Sequence, residues 1–423
     1  MGRRAELPRT GASHRTGAIP RSGPFLLTDT ILPAGALLLA GALLVGCDGP
    51  GGEAGEWDVD PREAVAGTPV EVDPQPLAVV GESPGDPTQE LDRVVSPFLL
   101  PDGRIGVPVR GIPAIRIYAA DGTFLEELGR PGEGPGEFRY LSSGWSQGDT
   151  VVAFDMDTRR VTRFPPGEGP ETVTLEPGPP ADLVVPGSGQ EEAGEWITVG
   201  VAFVGEDGRD RTVFHRFGPD GRHLGMVAEI GGFIRGPTPS GGGGPIALSP
   251  RAVFAGHGGA LFLGETLTPR IQVRDGDGEL LREVRWAVEG APTREEARDR
   301  VADSAARLRG EGDPAAEAAL RDGVLGSPLP PSLPAWGGLL VDPLGFLWVR
   351  PYDPLLHATP LGGLTSPGPG GEWLVFTPDG DPAGRVAVPD ELTPAWIGED
   401  RVVGIRRDAL GVESVRVHAL RRR

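Results

Sequence analysis

Residues 115 to 122 read Ile115-Arg-Ile-Tyr-Ala-Ala-Asp-Gly122. Ile115 and Ile117 flank Arg116, a period of two that turns one face of a strand toward a core. The Asp-Gly pair then supplies the positive φ of a tight hairpin turn. The phrase returns as Val213-Phe-His-Arg-Phe-Gly-Pro-Asp-Gly221, as Ile271-Gln-Val-Arg-Asp-Gly-Asp-Gly278 and as Leu374-Val-Phe-Thr-Pro-Asp-Gly380. A degenerate copy is Val161-Thr-Arg-Phe-Pro-Pro-Gly167, and the chain closes on Val415-Arg-Val417. A second strand phrase precedes most copies: Gly103-Arg-Ile-Gly-Val107, Asp149-Thr-Val-Val-Ala153, Gly259-Ala-Leu-Phe-Leu263 and Gly345-Phe-Leu-Trp-Val349. Two strand phrases per unit, with units mostly about 40 to 60 residues apart, point to propeller blades and away from a sandwich.

Blades are expected near 97–129, 144–175, 181–230, 250–286, 335–389 and 395–423. The last is short, and Val70-Glu-Val72 with Leu77-Ala-Val-Val80 is expected to supply its missing strand. Closing the ring in this way removes the open edges that template aggregation. The stretch Tyr118-Ala-Ala-Asp-Gly-Thr-Phe-Leu-Glu-Glu-Leu-Gly129, followed by Arg130-Pro-Gly-Glu-Gly-Pro-Gly-Glu-Phe138, resembles the NHL-type repeat of six-bladed β-propellers. The resemblance spans residues 100 to 175 most closely and implies an all-β, six-bladed ring.

One stretch departs from the strand pattern. Thr293-Arg-Glu-Glu296 is a capping box, and Ala297, Val301, Ala305 and Leu308 then recur at helical spacing. Asp313 with Pro314 starts a second helix expected to run to about Arg321, before Gly323. A helical hairpin inserted between blades four and five, over about 292–326, is the reading.

Composition narrows the function classes. Among the 423 residues there is no lysine and no asparagine, so all 40 basic residues are arginine, set against 60 acids. A net charge of -20 repels a phosphate backbone and argues against a nucleic-acid partner. The absence of lysine removes P-loop and Schiff-base chemistry. Gly 67 and Pro 46 make up more than a quarter of the chain. That range would suit disorder, but the loss of two residue types with AT-rich codons attributes part of it to base composition.

The first 30 residues carry Arg3, Arg4, Arg9, Arg15 and Arg21 against Glu6 and Asp29, and an apolar run follows from Ile31 to Val45. That order is the order of an export signal, and the run is shorter than the roughly 20 residues of a spanning helix. It ends Leu44-Val45-Gly46-Cys47, which resembles the lipobox of a bacterial lipoprotein. The resemblance implies cleavage between Gly46 and Cys47, loss of residues 1–46 and lipidation of Cys47. Residues 47–67 then read as an acidic, Gly-rich flexible tether, and residues 68–423 as the propeller. Cys47 is the single cysteine, so an exported chain would fold without an internal disulfide.

Candidate chemistry is sparse. Gly144-Trp-Ser-Gln-Gly148 matches the nucleophile-elbow pattern, but a strand follows it where that motif needs a helix, and the expectation is a loop opening blade two. Asp275-Gly-Asp-Gly-Glu279 and Asp155-Met-Asp157 resemble the start of calcium loops, yet the twelfth position counted from Asp275 is Trp286, not a bidentate Glu. Both read as turns. Of the histidines that follow the leader, His215, His223, His257, His357 and His418, the pair His215 and His223 flanks a Pro-Asp-Gly turn and could meet across a hairpin. Two imidazoles fall short of a zinc set. A peptidylglycine-lyase-like propeller would need three histidines on the axis, and lactonase-type propellers hold calcium partly through Asn, which this chain lacks. The phrase Gly132-Glu-Gly-Pro-Gly-Glu-Phe138 carries acids and Pro135 where a phosphate loop presents amides, and reads as a blade-to-blade connection.

No cofactor is indicated, and no catalytic, metal or ligand-binding residue is assigned. The expectation is an exported ring, lipid-anchored at Cys47 to the cell-envelope membrane, that serves as a ligand- or protein-binding platform. The alternative is a metal-dependent lyase or hydrolase with its site at the axial mouth. Trp145, Trp196, Trp286, Trp336, Trp348, Trp373 and Trp396 are expected mostly to pack blades.

Overall fold

The alternating phrases fold into six antiparallel sheets, the blades of a β-propeller, as the repeats predict. This computed structural model describes residues 70–176, 183–184, 196–202, 205, 208–237, 243–288, 290–310, 312–358 and 367–422. The chain divides into units 1–55 and 56–423, and all described residues belong to the second.

Blade one comprises Phe98–Leu99, Ile105–Val109, Ala114–Tyr118 and Phe124–Leu128, counted outward from the axis. Blade two comprises Leu141–Gln147, Thr150–Asp155, Arg160–Phe164 and Glu171–Thr174. Leu183–Val184, Trp196–Ala202, Arg209–Phe217 and His223–Pro237 form blade three, with Gly243–Pro245 added at its edge. Blade four is Ala252–His257, Ala260–Glu265, Arg270–Arg274 and Leu280–Arg285, and blade five is Trp336–Val341, Leu347–Pro351, Gly371–Phe376 and Pro382–Val388. Blade six takes Leu392–Ile397, Arg401–Arg407 and Glu413–Arg422, and its outermost strand is Val70–Val80 from the start of the ring. Val70 pairs with Arg422 and Val80 with Val415. The two apolar phrases expected to close the ring are parts of this one strand, bulged around Pro76.

The core lies between blades, and each junction has its own apolar cluster. Phe98, Ile115 and Ile117 of blade one meet Leu141, Val151 and Ala153 of blade two. Phe217 of blade three inserts against Val152, Phe154 and Val161 of blade two. Phe214 and Ala228 meet Leu261 and Leu263 at the next junction, and Val273 and Trp286 meet Trp336 and Val349 beyond it. Trp348 and Trp373 of blade five pack on Leu392 and Val402 of blade six. At the seam, Val80, Val403 and Val415 pack on Ile105, Val107 and Tyr118 of blade one. The seam is therefore as apolar as the other junctions, which is what ring closure requires.

The recurring Asp-Gly has a packing cause beyond its turn. Gly221 sits at φ +82°, and a Cβ there would lie 2.3 Å from the carbonyl oxygen of Thr174 in the outermost strand of blade two. Gly122 and Gly278 approach Val79 and Val227 of their preceding blades in the same way. The degenerate copy differs: Gly167 keeps φ +73° but has nothing within 4 Å. So the glycine at this turn both permits the left-handed backbone and lets one blade nest against the next.

Several expectations need correction. Gly144 to Gln147 lie within the innermost strand of blade two, not in a loop before it, and Ser146 Oγ donates to the Leu99 carbonyl at 3.0 Å. Blade three extends past residue 230 because its fourth strand runs to Pro237 and pairs there with Gly243–Pro245. The helical hairpin is α1 (Arg294–Arg309) and α2 (Pro314–Leu325). Thr293 and Glu296 make both hydrogen bonds of the capping box, and Asp313 caps α2 with Pro314 behind it. The second helix runs through Gly323 and stops at Gly326, held by buried Val324. Leu308, read as part of the apolar stripe, is 72% exposed; the last turn of α1 extends past the surface that Val301 and Ala305 contact. The Gly132 to Phe138 segment is a connection as expected, pinned by parallel pairing of Arg130–Pro131 with Glu137–Phe138.

Candidate functional site on the upper face

Strand direction fixes two unlike faces. On one, here the upper, the second strand of each blade leads to the third and the fourth leads to the next blade. On the other, the first-to-second and third-to-fourth turns lie. The helical hairpin enters on the upper face, between Arg285 and Trp336, and so does the connection from Pro351 to Gly371, which opens with the short helix α3 (Pro354–His357). The hairpin packs there: Ala297, Val301, Ala302 and Ala305 of α1 bury against Ala247, Leu248 and Ala358, with Leu355 of α3 beside them.

Beside this helical layer, at the junction of blades four and five, a polar cluster is buried. Arg251 immediately precedes the innermost strand of blade four; its amide donates to Thr266 Oγ1 at 2.9 Å, and its guanidinium donates to the Gly337 carbonyl of blade five. Burial lowers its pKa to about 10. His357 lies over Gly337 so closely that a Cβ on that glycine would fall 2.3 Å from the imidazole. His357 Nδ1 accepts the Asp353 amide at 2.9 Å, and Nε2 is 2.9 Å from the Pro367 carbonyl, so the proton is assigned to Nε2. Burial first, and the nearby Arg251 charge second, push its pKa down to about 4. A neutral ring with both nitrogens engaged is a structural element and not a proton shuttle.

Tyr352 stacks on His357 at 5.6 Å. Its hydroxyl is buried without a hydrogen-bond partner among the described residues, and burial raises its pKa. Arg350, buried, donates to the Glu372 and Pro369 carbonyls at 3.1 and 3.4 Å, and desolvation lowers its pKa. The junction thus collects two desolvated guanidinium groups, both donating to backbone carbonyls of blade five and its connection, and a buried hydroxyl. Sequence reading did not find it. Its only outward sign is the long Pro351-to-Gly371 connection, whose counterparts elsewhere are short.

Three other upper-face charges stitch blades together. Arg110 donates to the Leu141 carbonyl at 3.0 Å and lies over the Tyr140 ring. Arg209 of blade three pairs with Glu265 of blade four at 2.6 Å. Glu413 accepts the Val94 amide at 2.6 Å across the seam.

The residues singled out in the sequence separate as follows. Asp155 accepts the Arg139, Tyr140 and Thr158 amides, and Asp275 those of Asp277 and Glu279, so both are turn formers. His215 and His223 do meet, Nδ1 to Nε2, at 3.0 Å. His418 Nδ1 bonds the Asp73 carbonyl at 2.8 Å and holds the closing strand. Trp286, Trp336, Trp348 and Trp373 are buried between blades, as expected. The Trp196 side chain, Gly46, Cys47 and the tether lie outside the described residues. Among the described residues no three His, Cys, Asp or Glu side chains group as a metal set, and no helix is long and apolar enough to cross a membrane.

No family model matches the chain, and no curated protein matches it in sequence. Solved structures are similar in fold. A DUF4221-family member from Bacteroides vulgatus matches at TM-score 0.45 and 9% identity, over 84% of this chain and 98% of its own. A candidate exported protein from Bacteroides fragilis matches at TM-score 0.47 and 12% identity, over 84% and 95%. A streptogramin B lyase matches at TM-score 0.36 and 11% identity, over 84% and 98%. The six-bladed assignment rests on the chain's own sheets.

Proposed function

We propose that this protein is an exported ring, lipid-anchored through Cys47 after loss of residues 1–46, that binds a protein partner of the cell envelope with its upper face. Residues 47–67 are the tether and the ring follows from residue 68. The observation that carries the proposal is where large apolar side chains stay exposed. Ile112, Val288, Leu308, Leu410 and Val412 all lie in upper-face connections, with Leu410 89% exposed. Among the described residues, Leu344 lies in a lower-face turn between first and second strands, and the other exposed large apolar side chains, Leu77, Leu125, Leu224, Met226, Leu280 and Leu281, stand on the outermost strands of their blades. Apolar side chains exposed in the connecting loops of a rigid scaffold supply anchors for a partner.

The closing strand supports the orientation. It begins at Val70 beside Arg422, at the lower end of blade six, so the chain enters the ring at the end away from the upper face and leaves that face free for a partner. The test is photo-crosslinking in cells, with a photoreactive residue placed at Leu308, at Leu410 and at Leu344. A common crosslinked protein from the first two and not the third is the expected result. Crosslinks confined to Leu344 would overturn the proposal.

A further inference from the structure

The histidine pair of blade three carries an inference independent of the upper face. His215 lies near the end of Arg209–Phe217, and His223 opens His223–Pro237. Register places Met226 opposite His215, and His223 opposite Phe217, with Leu224 as the extra residue of a bulge. Opposed residues of an antiparallel pair share a face. The two imidazoles and the thioether therefore stand on one side of the hairpin, the side from which Phe217 packs on blade two.

Three features distinguish this group from an ordinary strand surface. The imidazole nitrogens are 3.0 Å apart with the rings inclined at 50°. Two nitrogens at that spacing, each about 2.0 Å from a shared ion, subtend roughly 95° at it, close to the right angle of a tetragonal site; a tetrahedral site would need about 3.3 Å. Met226, one of 3 methionines in the chain, is 61% exposed and so has no core-packing role. His215 is buried and His223 is exposed, so the pair runs from the blade junction to solvent. Glu176 accepts the His223 amide at 3.2 Å and fixes the start of the strand.

We propose that His215 Nδ1, His223 Nε2 and the Met226 thioether form a binding site for a copper ion on the flank of blade three. Two imidazoles suit both oxidation states, the tetragonal bite favours Cu(II), and the thioether adds preference for Cu(I). Hydrogen bonding between the imidazoles closes the site when the ion is absent.

The test uses the full chain in detergent. Cu(II) is titrated with electron paramagnetic resonance as the readout, and Cu(I) is titrated anaerobically against a chromophoric chelator. The wild type is expected to bind one Cu(II) with a tetragonal, nitrogen-coupled signal that His223→Ala loses. His223 is exposed, and circular dichroism checks that the variant folds. Met226→Leu is expected to keep the Cu(II) signal and weaken Cu(I) at least tenfold. An identical Cu(II) signal in wild type and His223→Ala, or no bound copper in the wild type, would overturn the site. Zn(II) displacing copper, with Cu(I) affinity unmoved in Met226→Leu, would overturn the assignment of the metal.

Discussion

Asp342→Asn is the substitution that most sharply probes how adjacent blades are locked. Asp342 immediately follows the innermost strand of blade five and is completely buried, at 0% exposure. Its Oδ1 accepts the Leu344 and Phe346 amides, both at 3.0 Å. Its Oδ2 accepts Trp348 Nε1 at 3.1 Å and Arg422 Nη2 at 2.5 Å. One carboxylate thus serves its own turn, its own blade and the last strand of blade six. Asparagine keeps the volume and one acceptor. Its amide then faces the indole and guanidinium donors, so two donors lose their acceptor and a buried charge loses its counter-ion. Breaking one side of a buried pair costs about 3 to 5 kcal/mol. Arg422 keeps 14% side-chain exposure and its bond to the Glu399 carbonyl at 3.0 Å, so the expected loss is about 3 kcal/mol. Urea unfolding followed by tryptophan fluorescence reads it as a lowered midpoint with unchanged slope. A cycle with Arg422→Met is expected to return a coupling above about 1 kcal/mol. A loss below about 1 kcal/mol, or the same loss with Arg422 already replaced, would refute the role given to this carboxylate.

Two further predictions follow from the same geometry. Gly221→Ala is expected to cost about 3 kcal/mol, from left-handed strain of about 1–2 kcal/mol plus the displaced contact with Thr174, whereas Gly167→Ala carries the strain alone; equal losses in urea would contradict nesting of the turn against the preceding blade. His357 has a folded pKa of about 4 against an ordinary 6.5, so the unfolded chain binds the extra proton first. Stability is then complete above about pH 6.5 and falls by about 3 kcal/mol as pH drops to about 4. His257, His215 and His418, also lowered by burial, add to the same slope. His357→Gln should flatten the curve of melting temperature against pH, and an unchanged curve would assign the acid sensitivity elsewhere.

The ring was legible because its determinants are local and repeated. Each blade announces itself by alternation in its strands, and Gly122, Gly221, Gly278 and Gly380 mark the turns in the sequence itself. The closing strand could be read because blade six was one strand short. The capping box at Thr293 and Glu296 was equally local. The polar junction was not legible, since Arg251 and His357 are far apart in the chain and meet only because blades four and five are neighbours. Nothing in the surroundings of Gly337 says that its missing Cβ makes room for an imidazole. Leu308 stands outside the core for a related reason: periodicity identifies the face of a helix but not where the surface beneath it ends. The His215–His223 contact could be anticipated from the hairpin, whereas Met226 joined them through a bulge that no pattern marks.

The most direct measurement of the central claim is mass spectrometry of the protein extracted from cell membranes. Export and anchoring predict an amino-terminal peptide that begins at Cys47 and carries the mass of a diacylglyceryl group, with residues 1–46 absent. A chain that retains residues 1–46, or an unmodified Cys47 in a protein recovered from the aqueous fraction, would contradict the account.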